Sequence, residues 1–306
     1  MESPRTYVLM DFRCNNACVF CNQSETSREP GASERIAREL RKLASEGVDS
    51  VTFSGGEATL DLTRLEELVG LARELGIETI AVQTNGRRLA YANVAQKLVD
   101  AGVDRFDVSL HGTNAATHDW VTRVPGAFKQ TIRGLREIRR VGGDISLHMV
   151  LVKSNFRQVR EMVLLAAKFR IPSINFRFVV PEGRVNEEKT LPSLVPKYSL
   201  VMPLLMQAKA TAKRMGISIY LHDFPDSVVG SLASDIVREP ARWVGEGAQS
   251  WSRSERVLPG ESDFSLENRK WIGVSKAYLE YYGSSEFQLD DSADEAMAPA
   301  VAVRAS

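Results

Sequence analysis

One pattern recurs along this chain and limits its fold more than any other feature: a stretch of helical period, then a glycine, then a short β-rich run. It appears in EGVDSVTFS (Glu46 to Ser54), LGIETIAVQTNG (Leu75 to Gly86), AGVDRFDVSLHG (Ala101 to Gly112), VGGDISLHMVLV (Val141 to Val152) and RMGISIYL (Arg214 to Leu221). The run RIPSINFRFVV, Arg170 to Val180, fits with proline in glycine's place. Ile36, Leu40 and Leu43 follow Ser33 at helical spacing, and Leu65, Leu68, Ala72 and Leu75 follow Asp61, so Ser33 and Asp61 read as N-caps. Gly47, Gly76, Gly102 and Gly142 stand where a helix ends in a left-handed backbone.

Strands that alternate with helices pair in parallel through right-handed crossovers. Counting Tyr7 to Phe12 as the first, six strands precede residue 181. The expected fold is α/β, a partial (β/α)6 TIM barrel, left open because closure takes eight strands. In such folds the loops after the carboxyl ends of the strands build the site.

After residue 181 the rhythm loosens. PEGRVNEEKTLPSLVPKYS is rich in proline and charge, and Ser199 to Met215 reads as a helix with Pro203 in its first turn. From Pro240 onward Trp243, Trp251 and Trp271 stand among glycine, serine and charged residues, which predicts a small irregular α+β cap. DDSADEAMAPAVAVRAS is poor in large apolar residues and reads as a disordered tail. The expected division is a barrel core over 1–198, the smaller region over 199–288 and the tail over 289–306.

With 306 residues and 43% hydrophobic content the chain can bury one large core. The 39 basic and 39 acidic residues cancel without forming blocks, which argues against a nucleic-acid partner. No run of apolar residues is long enough to span a membrane. MESPRTYVLMDFRC lacks a basic start followed by an apolar stretch, so the expected compartment is cytoplasmic.

The 3 cysteines all fall in CNNACVFC, and none follows Cys21, a distribution unlike a disulfide framework. Cys14, Cys18 and Cys21 lie on the loop after the first strand, where three thiolates can converge on one soft metal centre. By themselves they also fit buried thiols, or a zinc site completed by His111, His118, His148 or His222. A four-iron cluster held by three cysteines leaves one iron open, which a reactive cofactor needs.

SGGE, Ser54 to Glu57, ends the second strand. Its glycines let backbone approach a ligand closely and its carboxylate can accept from an ammonium, though a plain turn has the same letters. TNG (Thr84 to Gly86) and SLHG (Ser109 to Gly112) end the third and fourth strands, where turn chemistry and a satisfied strand end are the simpler readings. VKSN and VVPEGR end the fifth and sixth. Arg177, a lone charge within an apolar strand, is either an ion-pair partner or a substrate contact.

Taken in this order, the motifs resemble those of the radical S-adenosylmethionine superfamily, whose signature is CxxxCxxC with an aromatic residue before the last cysteine, here Phe20. The resemblance implies a [4Fe–4S] cluster on Cys14, Cys18 and Cys21, with S-adenosylmethionine chelating the fourth iron. It gives Phe20, Gly55, Gly56 and Glu57 to the cofactor, the last three at its methionine amine. Asn85 and Ser109 go to its ribose or carboxylate, and Val180 to its adenine. Arg123, in HDWVTRVPGAF, matches an arginine that reaches the cofactor carboxylate, with a solvated surface arginine as the alternative.

AYLEYYGSSEFQL, Ala277 to Leu289, resembles the end of the SPASM and twitch branch, where cysteines for auxiliary clusters precede such a run. Neither SLENRKWIGVSK nor HDFPDSVVG has one, which implies a twitch-like cap without its cluster. The implied activity is reductive cleavage of S-adenosylmethionine to a 5′-deoxyadenosyl radical, fed by a one-electron reductase such as flavodoxin or ferredoxin. The expected substrate is a small metabolite undergoing isomerisation, cyclisation, epimerisation or cleavage, with a peptide as the alternative. A different class, a non-catalytic metal- or cofactor-binding partner protein, also fits the missing C-terminal cysteines.

Overall fold

The computed structural model describes residues 5–21, 33–181, 185, 190–237, 241–245, 256–257 and 274–287. The glycine-led runs are strands and the apolar-periodic stretches are helices. The order is β1 (Thr6–Leu9), α1 (Ser33–Ser45), β2 (Ser50–Ser54), α2 (Leu62–Glu74), β3 (Thr79–Thr84), α3 (Val94–Ala101), β4 (Arg105–Ser109), α4 (Ala115–Thr122), α5 (Ala127–Arg140), β5 (Asp144–Leu151), α6 (Val159–Lys168) and β6 (Ser173–Phe178). Beyond them come α7 (Leu191–Leu194), α8 (Tyr198–Arg214), β7 (Ser218–His222), α9 (Asp226–Val229), β8 (Arg242–Gly245), β9 (Arg256–Val257), β10 (Val274–Ser275) and α10 (Lys276–Tyr282). Asp61 caps α2, its carboxylate accepting from the Arg64 amide at 3.3 Å. Gly76 and Gly102 take φ of +85° and +113° at helix ends.

One 8-stranded sheet runs in the order β7-β6-β5-β4-β3-β2-β1-β8, with every neighbouring pair parallel. Its outermost strands, β7 and β8, are not neighbours, so the curved sheet stays open as a partial TIM barrel. The six strands expected before residue 181 form its centre, and two more extend it.

β8 extends the sheet from the region after Pro240, where the sequence shows no strand pattern. Four residues, RWVG, add to the far side of β1 with Thr6 opposite Arg242, and Trp243 stacks on Tyr7 with ring centroids 4.2 Å apart. Gly245 is required there: a Cβ would lie 2.4 Å from the Leu9 carbonyl oxygen. So short a strand, paired with one at the opposite end of the chain, has no periodicity to betray it.

The sheet has two unlike faces. Val51, Phe53, Ile80, Val82, Phe106, Val108, Leu147, Phe176 and Leu221 point one way and join helix residues such as Leu65, Leu98, Leu135 and Val163 in the core. The alternate positions, Thr52, Ser54, Gln83, Asp107, Ser109, Ser146, His148, Ser173, Asn175, Arg177 and His222, form a polar inner wall. This departs from a filled barrel, whose interior is packed with branched apolar side chains.

Pro203 lies inside α8, beyond its first turn, because the helix starts at Tyr198. The tail over 289–306, Trp251, Trp271 and most of SLENRKWIGVSK lie outside the described residues. Among the described residues no helix is long and apolar enough to cross a membrane.

Candidate active site

The segment after β1 carries the cysteines, and its course is set by three hydrogen-bonded ties. The first runs to β2. The Met10 amide donates to the Ser54 carbonyl at 2.9 Å, the Gly56 amide to the Asp11 carbonyl at 2.7 Å and the Glu57 amide to the Arg13 carbonyl at 2.8 Å. Side chains at 55 or 56 would block this contact, since a Cβ on Gly55 would stand 2.2 Å from the Asp11 oxygen and one on Gly56 2.2 Å from the Arg13 oxygen. The two glycines therefore admit the cysteine segment itself.

The second tie is ionic. Asp11, buried, accepts from the Arg13 amide at 3.0 Å and from Arg13 Nη2 at 2.8 Å. It also accepts from Arg64 Nη1 at 3.2 Å, while Arg64 Nη2 donates to the Met10 carbonyl at 3.2 Å. Asp11 and Arg64 are 53 positions apart, so no local pattern in the sequence announces the pair.

The third tie runs to α4. Ala17 and Val19, flanking Cys18, donate to the Thr122 and Val121 carbonyls at 3.0 and 2.9 Å, and so satisfy the open end of that helix. Behind this junction Phe20 meets His111 edge-on at 4.8 Å, and His111 stacks at 6.1 Å on His118. His118 is 1% exposed and its Nδ1 accepts from the His111 amide at 3.1 Å, so it is neither a cap nor a surface residue. Burial lowers the His118 pKa to about 4 and takes His111 well below the usual histidine range, with His118 adding to that shift.

Glu57 is 4% exposed and joins two strand ends. Its Oε1 accepts from the Thr59 amide at 3.0 Å and from the Thr59 and Thr84 hydroxyls, both at 2.6 Å; its Oε2 accepts from the Asn85 amide at 2.6 Å. Asn85 passes the connection on, donating from Nδ2 to Asn15 Oδ1 at 2.6 Å and lying 4.0 Å from Cys14 Sγ. Glu57 and Asn85 thus form one network with the cysteine loop.

Of the other expected residues, Ser109 ends β4 on the inner wall, in register with His148. Val180 is half-buried just beyond β6, four strands from β2. Arg123 is exposed, in a left-handed turn (φ +56°) that ends α4. With Val19, Trp120 and Pro125 it lines a surface depression of about 640 Å³ behind the cysteine loop, apart from the Glu57 network. Arg177 pairs with Asp223.

The inner wall was hidden in the sequence by its alternation with core residues, although FDVS, ISLHM and SINFRF show polar residues at every second position. Asn175 Nδ2 donates to Ser146 Oγ at 2.8 Å, and His222 Nε2 lies 2.8 Å from Asn175 Oδ1. Asp107, 1% exposed, accepts at Oδ1 from Arg105 Nε at 2.9 Å, with His148 Nε2 3.8 Å away. Despite burial, His148 and Arg105 keep the Asp107 carboxyl far below the usual carboxylate range. Asp107 Oδ2 and His148 Nε2 have no hydrogen-bond partner among the described residues.

The thiols bear on whether a metal group fits. Burial pushes the Cys14 thiol up to about 11 and Cys18 higher still, and Cys21 adds to both. Three thiolates this close persist only around a positive centre. Among the described residues no group of three or more histidine, cysteine or acidic side chains meets at a point suited to a single ion. Three cysteines on one short loop, with the Asn16 amide donating to Cys14 Sγ at 3.3 Å, form a donor set that fits an iron–sulfur cluster.

Residues 10–166 match the family model described as the Radical SAM superfamily. An AdoMet-dependent heme synthase of Methanosarcina barkeri is 31% identical over 179 residues, 57% of this chain and 50% of that protein. A probable GTP 3′,8-cyclase of Metallosphaera sedula is 34% identical over 174 residues, 56% and 54% of the two chains. The chain spans about half the length of these curated relatives. Streptococcus suis SuiB, solved bound to S-adenosylmethionine, superposes with a TM-score of 0.59 at 18% identity, over 71% of this chain and 49% of that one.

Proposed function

This chain belongs to the radical SAM superfamily, and on that premise we propose that it is an enzyme which uses S-adenosylmethionine and one [4Fe–4S] cluster to abstract hydrogen from a small polar metabolite. The observation that carries this reading is the cysteine loop: three thiols and no other cysteine, fixed by Gly55, Gly56 and Glu57 at the carboxyl ends of a parallel sheet. When bound, the cluster and S-adenosylmethionine supply a 5′-deoxyadenosyl radical.

The rest falls to the residues of the chain. Cys14, Cys18 and Cys21 hold the iron. Glu57 and Asn85 fix the end of β3 against the cysteine loop, so that the strand ends keep one shape around the cofactor. Gly55 and Gly56 let the cysteine segment close on the end of β2, where the methionine end of the cofactor would lie. Phe20, held by His111, forms a wall for the adenine together with Val180, and Ser109 offers a hydroxyl to the ribose. The polar inner wall from Asp107 to His222 receives the substrate. Unpaired Asp107 Oδ2 suits a hydroxyl or amino hydrogen of that substrate, which favours a small polar metabolite over a peptide.

After anaerobic loading with iron and sulfide, dithionite and S-adenosylmethionine should yield 5′-deoxyadenosine. A variant with Cys14, Cys18 and Cys21 changed to alanine should give only background. Equal yields from the two would sink the enzyme reading and favour a non-catalytic binding protein. Deuterium carried into 5′-deoxyadenosine from labelled metabolite or labelled peptide pools then separates the two substrate classes.

A further inference from the structure

Resting on that cluster, we propose that Arg87 is a positioning residue that raises the reduction potential of the iron–sulfur centre by acting through Asn16. In the sequence Arg87 is one of two arginines after TNG, a place where a solvated side chain is the ordinary outcome. The turn decides otherwise. The Arg87 amide donates to Asn85 Oδ1 at 3.0 Å, which directs the side chain across the cysteine loop.

The guanidinium then meets two elements. Its Nε donates to Gln130 Oε1 on α5 at 2.7 Å. Its Nη1 donates to the Asn15 carbonyl and, at 2.8 Å, to Asn16 Oδ1. With its side-chain oxygen held by Arg87, Asn16 donates from its backbone amide to Cys14 Sγ at 3.3 Å. One cation therefore orients the residue that hydrogen bonds the Cys14 sulfur and that stands two positions before Cys18.

Reduction adds an electron to the cluster and its sulfurs. Hydrogen bonds to sulfur and a nearby cation favour the more negative state, so both raise the potential. The need is local: the Glu57 carboxylate is joined to the cysteine loop through Asn85, and its charge disfavours adding more negative charge beside it. A lysine would supply the charge without the fork that spans Gln130, Asn15 and Asn16.

The test is an EPR-monitored potentiometric titration of reconstituted wild type, Arg87→Gln, Arg87→Lys and Asn16→Ala, after measuring iron and sulfide per chain. Iron content should match wild type. In Arg87→Gln the ratio of reduced to oxidised cluster at a fixed potential should drop about tenfold, a midpoint about 59 mV lower for a one-electron couple. Arg87→Lys should fall between the two, and Asn16→Ala should also shift downward. An unchanged midpoint in Arg87→Gln at full iron content overturns the inference and leaves the cluster reading intact. Should Arg87→Gln fail to take up iron, unmoved midpoints in Arg87→Lys and Asn16→Ala overturn it equally. Iron uptake by the wild type no greater than by the triple cysteine variant would instead overturn the functional reading beneath it.

Discussion

The cysteine end of the barrel and the corner where α10 returns to it are built from opposite materials. At the cysteine end Asp11, Arg64 and Glu57 are buried charges, each held by hydrogen bonds to segments distant in sequence. At the corner Tyr278 is fully buried among Tyr198, Phe178 and Phe287, with Tyr198 stacked on Phe178 at 3.9 Å. Its hydroxyl donates to Glu286 and accepts from the Tyr198 amide at 3.1 Å, and the Tyr282 hydroxyl donates to the Val195 carbonyl at 2.7 Å. Buried ionic networks fail together when one member is lost, whereas apolar packing loses stability by degrees. The first region suits a site whose geometry has to be fixed; the second fastens a C-terminal segment to the barrel.

The sharpest way to break this contrast is at Gly56. Replacing it with alanine puts a Cβ 2.2 Å from one backbone oxygen and 2.5 Å from another, with no flexible side chain to give way. The β2 end and the cysteine segment must then separate, which should cost about 3 kcal/mol. Anaerobic reconstitution of Gly56→Ala should recover little iron, while circular dichroism retains the α/β signature. Full iron content at wild-type stability would show that this close approach does not hold the loop in place.

The same contrast explains how much could be read beforehand. The strand and helix units were legible because glycine, N-cap and apolar period agree within one short stretch, as at Asp61, Leu65, Leu68 and Gly76. The cysteine triplet stood out because its three members fall within eight residues. Residues whose meaning lies in a distant partner did not: Arg64 needs Asp11, Arg87 needs Asn15, Asn16 and Gln130, and β8 needs β1. The close approach of the GGE glycines to the backbone of Asp11, Phe12 and Arg13 likewise has no local signal. The polar inner wall was written in the strands as alternation, yet alternation alone does not say which face turns inward.

Acid should separate the two regions less drastically. His118 and His111 are neutral in the folded state because burial lowers their pKa, His118 to about 4 from an ordinary 6.5. The unfolded chain therefore binds more protons between those values. The stabilisation is fully present above pH 6.5 and is lost as pH falls toward 4. By pH 5 His118 should account for about 2 kcal/mol of lost stability. Hydrogen exchange at pH 7 and pH 5 should show the segment from His111 to Thr122 opening before that from Lys276 to Phe287. Equal loss of protection in both would mean that these histidines do not govern the cysteine end.

The mildest change tests the corner alone. Tyr278→Phe keeps the ring in its aromatic cluster but removes the hydroxyl that links Glu286 with the Tyr198 amide. The buried amide is left without its acceptor, a loss of about 1 kcal/mol. Urea titration should show a lowered midpoint with unchanged slope. Because no strand end of the cysteine network passes through this corner, iron content and 5′-deoxyadenosine yield should equal those of wild type. A Tyr278→Phe protein that folds normally but loads less iron would join the two regions energetically and make the segment from Lys276 to Phe287 part of the cysteine site.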